Sequence, residues 1–360
     1  MRYAFAFIVI LHGLIHLMGF AKAFGYGQFP QLTKDISKTA GTVWLAAALL
    51  LIAAAVLFLA RKDWWLLGIA AAVISQGIIF SSWQDAKFGT IANLILVVAA
   101  LLAWGNRRFE QRFFADSRAN LARTAGISAD NLTEQDLAPL PAPVQKHLRY
   151  AGVVGKPRVH NFYLEFEGEM RQKGKDWFPF HSRQYDFFDQ PTRLFFMKGH
   201  MFGIDVPGYH AYKNGAASME IKPFGMIPAV DLKGGPLDKT ETVTLFNDLC
   251  LFAPAALTYP NVRWEAIDEA SARAFYTVNG ITIQAALFFN DKGQLVNFIS
   301  DDRMDVTHNT QLRFSTPVYE YTTIQGLNLC KYGEGVWHYP EGEFAYGRFR
   351  LKEVRYNVGE

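Results

Sequence analysis

Charge is nearly absent from the first 105 residues of this 360-residue chain. Through Gly105 there are seven basic side chains (Arg2, Lys22, Lys34, Lys38, Arg61, Lys62, Lys87) and three acidic ones (Asp35, Asp63, Asp85), which is 10 of the chain's 69. The other 255 residues hold the remaining 59, an ordinary density for a water-soluble domain. A chain divided in this way is not one globular domain. Cysteine is scarce as well. Cys250 and Cys330 stand 80 positions apart with no CxxC, which excludes a disulfide scaffold and fits a reducing compartment. Catalytic patterns are missing too: no GxSxG, no HExxH, no glycine-rich phosphate loop and no nucleophile beside an ordered base. The sequence therefore gives no positive sign of an enzyme. The net charge of +3 splits into +4 before residue 106 and 29 minus 30, or −1, after it. The pI of 8.7 thus reflects the flanks of apolar segments and speaks against a nucleic-acid partner.

Four apolar runs are present: Ala4 to Phe20, Val43 to Ala60, Trp64 to Phe80, and Phe88 to Trp104, each free of Asp, Glu, Lys and Arg. Crossing a hydrocarbon core takes roughly 20 helical residues, with about 17 as the lower limit. All four runs meet it. Trp44, Trp64, Trp65, Trp83 and Trp104 fall at their ends, as expected of rings that want one wet edge. The first run is read as an uncleaved span rather than a secretory signal, because three more follow it. An N-terminus inside the cell puts Arg2, Arg61, Lys62, Arg107, Arg108 and Arg112 on the inner side and Lys22, Lys34, Lys38 and Lys87 outside. That bias predicts a multi-pass protein with both termini, and hence its second half, in the cytoplasm.

Polar groups inside lipid must find a partner in the bundle or a wet cavity. His12 and His16, four residues apart, share one helix face. Ser75 and Gln76 lie in the third run, Asn93 early in the fourth, and Asp85 in the short connection between them. On the inside-out path His16, Gln76, Asp85 and Asn93 fall at one depth. Two readings stand side by side. Hydrogen bonds between helices account for the set structurally. A site built from His12, His16, Gln76, Asp85 and Asn93 for a quinone headgroup, a proton or a metal accounts for it functionally. For a metal, only Asp85 is available as a third firm ligand, so no metal site is predicted.

Residues 106 to 123 (NRRFEQRFFADSRANLAR) read as a basic, aromatic helix with Phe109, Phe113 and the arginines at headgroup level. The domains expected are a four-helix transmembrane domain over 1–105, an amphipathic linker over 106–139 and a soluble β-rich domain over 140–360. A short helix opens at Leu140-Pro-Ala-Pro-Val. From Phe162 the apolar residues alternate, and Ile281 to Phe289 repeats the pattern before an Asn290-Asp-Lys-Gly293 turn and a return arm over 294–304. Further strands are expected at 178–188, 193–201, 217–221, 262–267, 272–278, 312–323, 327–339 and 344–356. Only 239–257 reads as helix, split by Pro254. The fold class is therefore a four-helix transmembrane bundle followed by a mostly antiparallel β domain, a curved sheet or partial barrel with a short helical insertion.

Asp301-Asp302-Arg303 is the densest charge cluster, and strand alternation places Asp301 and Arg303 on one face as a solvated, internally paired group. His181, His200, His210, His308 and His338 show no ligand spacing. Aromatics are abundant: 38 lie beyond residue 105. They fill a core or line an elongated apolar cavity, for which Trp177, Tyr185, Arg303, Tyr319 and Trp337 are the candidate ligand contacts.

Two stretches, His12-Gly-Leu-Ile-His16-Leu-Met-Gly-Phe-Ala-Lys-Ala-Phe24 and Trp83-Gln-Asp-Ala-Lys-Phe-Gly-Thr-Ile-Ala-Asn93, resemble the four-helix module of DoxX-like membrane proteins. Leu140-Pro-Ala-Pro-Val-Gln through Gly155-Lys-Pro, Asp301-Asp-Arg303 and Trp337 to Tyr346 resemble an uncharacterised bacterial domain family. In strand count the second half is similar to the curved sheets of the lipoprotein carriers LolA and RseB. These resemblances imply a bacterial inner-membrane protein. The primary expectation is a membrane-anchored binding protein whose β domain holds a lipid or other apolar small molecule beside the membrane lipids. The alternative is a DoxX-like quinone- or proton-linked redox protein with a regulatory β domain, quinone being the cofactor class implied.

Overall fold

The computed structural model describes residues 2–128, 130–305 and 309–359. The chain divides into two compact units, Met1–Arg108 and Phe109–Glu360.

The first unit is helical: α1 (Arg2–Ala23), α2 (Lys38–Leu59), α3 (Trp65–Ser81), the single turn α4 (Trp83–Ala86) and the first part of α5 (Gly89–Thr124). Three of these, α1, α2 and α5, are long and apolar enough to cross a membrane; α3 is equally apolar but has only 17 residues. Ser37 starts α2 by accepting a hydrogen bond from the Ala40 amide at 3.2 Å, which satisfies one orphan N–H of the first turn. Small residues let the helices approach: Gly41 of α2 faces Ala23, and Gly13 of α1 packs on Leu51 and Ile52.

The second unit is built on one open sheet. It begins with the remainder of α5, then α6 (Glu134–Leu137) and α7 (Ala142–Ala151). Six strands follow: β1 (Asn161–Met170), β2 (Phe178–Phe187), β3 (Thr192–Met201), β4 (Ile204–Lys213), β5 (Ala216–Ile221) and β6 (Val230–Lys233). After α8 (Pro236–Phe252) come β7 (Val262–Ala266), β8 (Ser271–Val278), β9 (Ile281–Phe289), β10 (Leu295–Asp305), β11 (Thr310–Ile324), β12 (Leu327–Tyr339) and β13 (Gly342–Tyr356). The order is β6-β5-β4-β3-β2-β1-β13-β12-β11-β10-β9-β8-β7, antiparallel throughout. The chain thus meanders out to one edge, crosses by α8 to the other edge, and meanders back until β13 meets β1.

That crossing explains α8. It touches β4, β5 and β6 on one side and β9, β10 and β12 on the other, and it is buried on nearly every face. A helix with no wet face belongs to the core. It ends at Phe252 and a 3-10 turn starts at Pro254, as the proline requires. The back of β2–β4 is covered by α5, whose Phe109, Phe113 and Leu121 pack on Phe187, Leu194, Phe196, Tyr209 and Ala211. Phe109 and Phe113 are 3% and 0% exposed, so they seal the sheet rather than meet lipid headgroups.

Among the described residues the sheet has 13 strands and does not close, an antiparallel array of the expected kind with two strands more than the eleven stretches marked in the sequence. β4 and β6 are the strands the sequence hides. β4 contains Pro207-Gly208, and β6 is four residues long with three exposed. Alternation also fails at Asp301-Asp302-Arg303, because a bulge lies between Ser300 and Arg303. Asp301 accepts Arg313 at 2.8 and 3.1 Å, while Asp302 accepts Lys239 of α8 at 2.6 Å and the Gln284 amide at 2.7 Å. The ion pairs run to neighbouring elements instead of within the triplet.

Candidate functional site

The predicted polar set of the first unit converges. His12 Nε2 lies 3.0 Å from Asn93 Oδ1 and 3.1 Å from Ser75 Oγ. His16 Nε2 lies 2.7 Å from the same Ser75 hydroxyl. Asn93 Nδ2 donates to Gln76 Oε1 at 3.0 Å, and Gln76 Nε2 donates to Thr90 Oγ1 at 3.1 Å. One relay therefore ties α1, α3 and α5 together. His12, His16, Ser75 and Asn93 are all less than 7% exposed.

The hydrogen-bond pattern suits one assignment of the protons. Asn93 presents its oxygen to His12, so Nε2 of His12 carries a proton and donates it. With the Ser75 hydroxyl assigned as donor to His16 Nε2, the His16 proton is placed on Nδ1. That Nδ1 is buried and has no hydrogen-bond partner. His16 therefore presents a spare N–H donor, in a setting where unmade hydrogen bonds are costly.

Both histidines line a cavity of about 370 Å³. Its other walls are chiefly apolar, including Ile8, Leu11, Trp44 and Phe88, with Gln31 and Asp85 as further polar members. Trp44 meets His16 edge-on with ring centroids 5.2 Å apart. Gly89 lets α5 pass close to α1, since a Cβ there would meet His12 Cε1 at 3.1 Å and Ile79 more closely still. Asp85 shares the cavity but not the relay. Its carboxylate accepts the Thr33 amide at 2.7 Å and the Thr33 hydroxyl at 2.9 Å, contacts that hold its pKa below the usual carboxylate value. Asp85 thus fastens the loop between α1 and α2 over the site. Among the described residues no three His, Cys, Asp or Glu side chains group closely enough to hold a metal.

Of the five predicted residues, His12, His16, Gln76 and Asn93 form one network, and Asp85 lines the cavity beside it. Sequence reasoning did not assign roles to Ser75, Thr90, Gln31 or Trp44. Ser75 had a signal, a hydroxyl in mid-span beside Gln76.

The β-unit candidates are less united. The Arg303 guanidinium stacks 3.9 Å from the Phe314 ring centroid and 5.1 Å from that of Trp337, and it donates to the Tyr346 hydroxyl at 3.2 Å. Trp177 lies between the guanidinium groups of Arg171 and Arg348, each 4.3 Å from its ring. Tyr185 packs on Tyr163 and Phe113, and Tyr319 on Tyr332. Only Arg303 and Trp337 share a direct contact. His308 lies outside the described residues. A polar groove of about 350 Å³ in this unit is bordered by Glu167, His181, Lys198, His200 and Asp205.

A buried polar knot under α8 escaped the sequence. Arg193 of β3 donates to Asp248 at 2.7 Å, to Glu241 at 3.3 Å and to Gln184 Oε1 at 3.2 Å. Gln184 in turn donates to Asp186 at 2.9 Å and to Asp248 at 2.8 Å. Burial, and then the neighbouring Asp248 charge, push the Asp186 carboxyl well above its usual pKa. Burial also pushes Glu241 upward, but His210 and Arg193 outweigh it and hold its pKa at about 2. The knot clamps the core helix to the sheet.

Residues 130–349, most of this β unit, match the model described as a family of unknown function, DUF6544. The chain belongs to the DUF6544 family. The match leaves out the helical unit, where the relay lies, and takes in the knot, the groove and all five β-unit candidates. A LolA superfamily protein from Nitrosomonas europaea is a distant structural neighbour of this DUF6544 member, at 10% identity and a TM-score of 0.34, covering 59% of this chain and 93% of its own. No curated protein matches the chain.

Proposed function

We propose that this chain is a multi-pass membrane protein whose helical unit binds a small, mostly apolar molecule through a carbonyl oxygen. A quinone headgroup is the class that suits the cavity. The observation that carries this reading is the pairing of a cavity of about 370 Å³ with the buried Nδ1 of His16, which has no hydrogen-bond partner among the described residues and is read here as an N–H. A ring carbonyl would take the His16 proton, the Trp44 indole would border the ring, and a tail would leave past Ile8, Leu11 and Phe88, which are 38%, 45% and 76% exposed. In this reading α3 is a fourth span, the β unit is cytoplasmic and regulatory, and the membrane is the bacterial inner one. The DoxX-like resemblance of the first unit points the same way. A lipid-carrying β unit has less support, because α8 fills the space between the two arms of the sheet.

The test uses the full-length protein in detergent, titrated with decylubiquinone and followed by tryptophan quenching and thermal shift. His16→Gln keeps an amide for Ser75 but offers nothing at Nδ1. It should lose roughly tenfold in affinity, the worth of one hydrogen bond, while the ligand-free melting temperature holds. Equal binding by both proteins would overturn the proposal. A lipid co-purifying with wild type and His16→Gln alike would restore the β-unit carrier.

A further inference from the structure

Four two-residue hairpins in the β unit share one turn geometry, with both central residues at positive φ. They are Asn214-Gly215 (φ 48° and 91°), Asn279-Gly280 (45° and 83°), Gln325-Gly326 (51° and 76°) and Phe202-Gly203 (52° and 77°). Such turns favour Asn or Gly at the first position, since a short amide side chain tolerates the left-handed region and a bulky one does not. Three of the four use an amide residue. The β3–β4 turn uses phenylalanine, and that ring is 95% exposed. Phe202 is thus unfavourable twice, in its backbone and in its solvation, and a ring 95% exposed gains almost no burial among the described residues to offset either cost.

Its position gives the reason. α5 runs along β3 and β4 from Phe109, which packs on Phe196 and lies 5.3 Å below Lys222 Nζ, to Arg123, which pairs with Asp189. Glu110 binds Lys198 at 2.9 Å, and β3 continues from Lys198 to Met201 past that point. The Phe202 turn therefore sits at the end of the unit where the chain enters, only a few residues after the apolar run that closes at Trp104. The β5–β6 loop lies at the same end, because Lys222 N donates to Pro207 O at 3.0 Å, and it exposes Met226 (41%) and Ile227 (57%). Beside them, the β1–β2 turn joins strands in register with β3, Phe180 against Gly199, and carries the exposed Lys173 and Lys175. Lys173 pairs with Glu341 and Asp205 with His200, which leaves Lys175 as the cation beside protruding apolar tips that suit the boundary between headgroups and acyl chains.

We propose that the β3–β4 turn and the β5–β6 loop insert Phe202, Met226 and Ile227 into the surface of the bilayer that the helices cross. The membrane contact of this unit is then made by loops of the sheet, the role that the sequence had given to Phe109 and Phe113. This inference rests on the helices spanning a membrane, and the experiment separates the two.

Single cysteines at Phe202, Ile227, Gln190 and Leu94 are introduced into the full-length protein, labelled with an environment-sensitive fluorophore and reconstituted in vesicles of phosphatidylglycerol and phosphatidylethanolamine. Native Cys250 and Cys330 are buried and their thiols are pushed up in pKa by that burial, so they stay unlabelled. Labels at 202 and 227 should shift to the blue, be quenched by nitroxide-bearing lipid and resist aqueous iodide. The label at Gln190, on the β2–β3 turn at the opposite end, should behave as in water. If the label at 202 reads like that at 190, the proposal is overturned. A label at 202 shielded from iodide yet untouched by the nitroxide lipid would mean that protein covers the tip, and it overturns the proposal too. Leu94 lies in the apolar part of α5; an unquenched label there would overturn the spanning reading itself.

Discussion

Gly19 of α1 lies against the indole of Trp44 of α2, so that a Cβ on residue 19 would come 2.1 Å from the ring. The missing side chain is what lets Trp44 reach His16 and form a wall of the cavity. Gly19→Leu should therefore destabilise the helical unit by about 1–3 kcal/mol through overpacking. Adding Trp44→Val should recover part of that loss. Thermal melts in detergent check both, and an unchanged melt for Gly19→Leu would refute the packing.

Asn93 holds the middle of the relay and Thr90 its end. Asn93→Leu leaves His12 Nε2 and Gln76 Oε1 unmatched and should cost about 1–2 kcal/mol, whereas Thr90→Val should cost about 0.6 kcal/mol or less. Equal effects would show that the bonds do not act as a chain.

Arg193 is the counter-charge of a buried knot, and Lys239 belongs to a half-exposed pair. Removing the first strands Asp248 and Glu241 in the core, which costs about 3–5 kcal/mol. Removing the second costs under about 1 kcal/mol. Urea unfolding of Arg193→Leu and Lys239→Ala should show that separation.

Asp186 and Glu241 should impose opposite pH trends. A carboxyl raised in the folded state binds its proton more tightly there than in the unfolded chain, so its contribution falls as pH rises above the ordinary 3.8. Glu241, held at about 2, contributes stability above about 4.5 that is lost as pH falls toward 2. Asp186→Asn copies the protonated form. Its melting temperature relative to wild type should rise from pH 5 to pH 7, and a constant difference would show that Asp186 is already ionised in the fold.

The helical half was legible because long apolar runs hold so few polar residues. A span without charge leaves each His, Asn or Gln conspicuous, and residues at one depth have few partners to choose from. That reasoning groups Asp85 with His12, His16, Gln76 and Asn93, and Asp85 turns instead to Thr33 while the other four share the relay. In the β half the signals compete. Pro207-Gly208 looks like an interruption and sits within a paired strand, while Glu241 and Asp248 look like the wet side of a helix and lie in the core. Only the return of the chain around α8 decides these cases, and that return depends on pairings more than a hundred residues apart. The bulge at Ser300 is equally silent, since one slipped residue re-aims Asp302 without changing the composition of the strand.

Phe162 of β1 pairs with Tyr356 of β13, so the middle seam of the sheet joins the first strand made to the last. At about 5–20 residues per second, roughly 190 residues of synthesis separate them, or about 10–40 s on the ribosome. Throughout that interval β1 has one raw edge. A premature stop anywhere in the last strand would leave that edge open for good and make the nascent protein a template for foreign strands. The seam is thus closed only by the fifteen residues of Gly342–Tyr356.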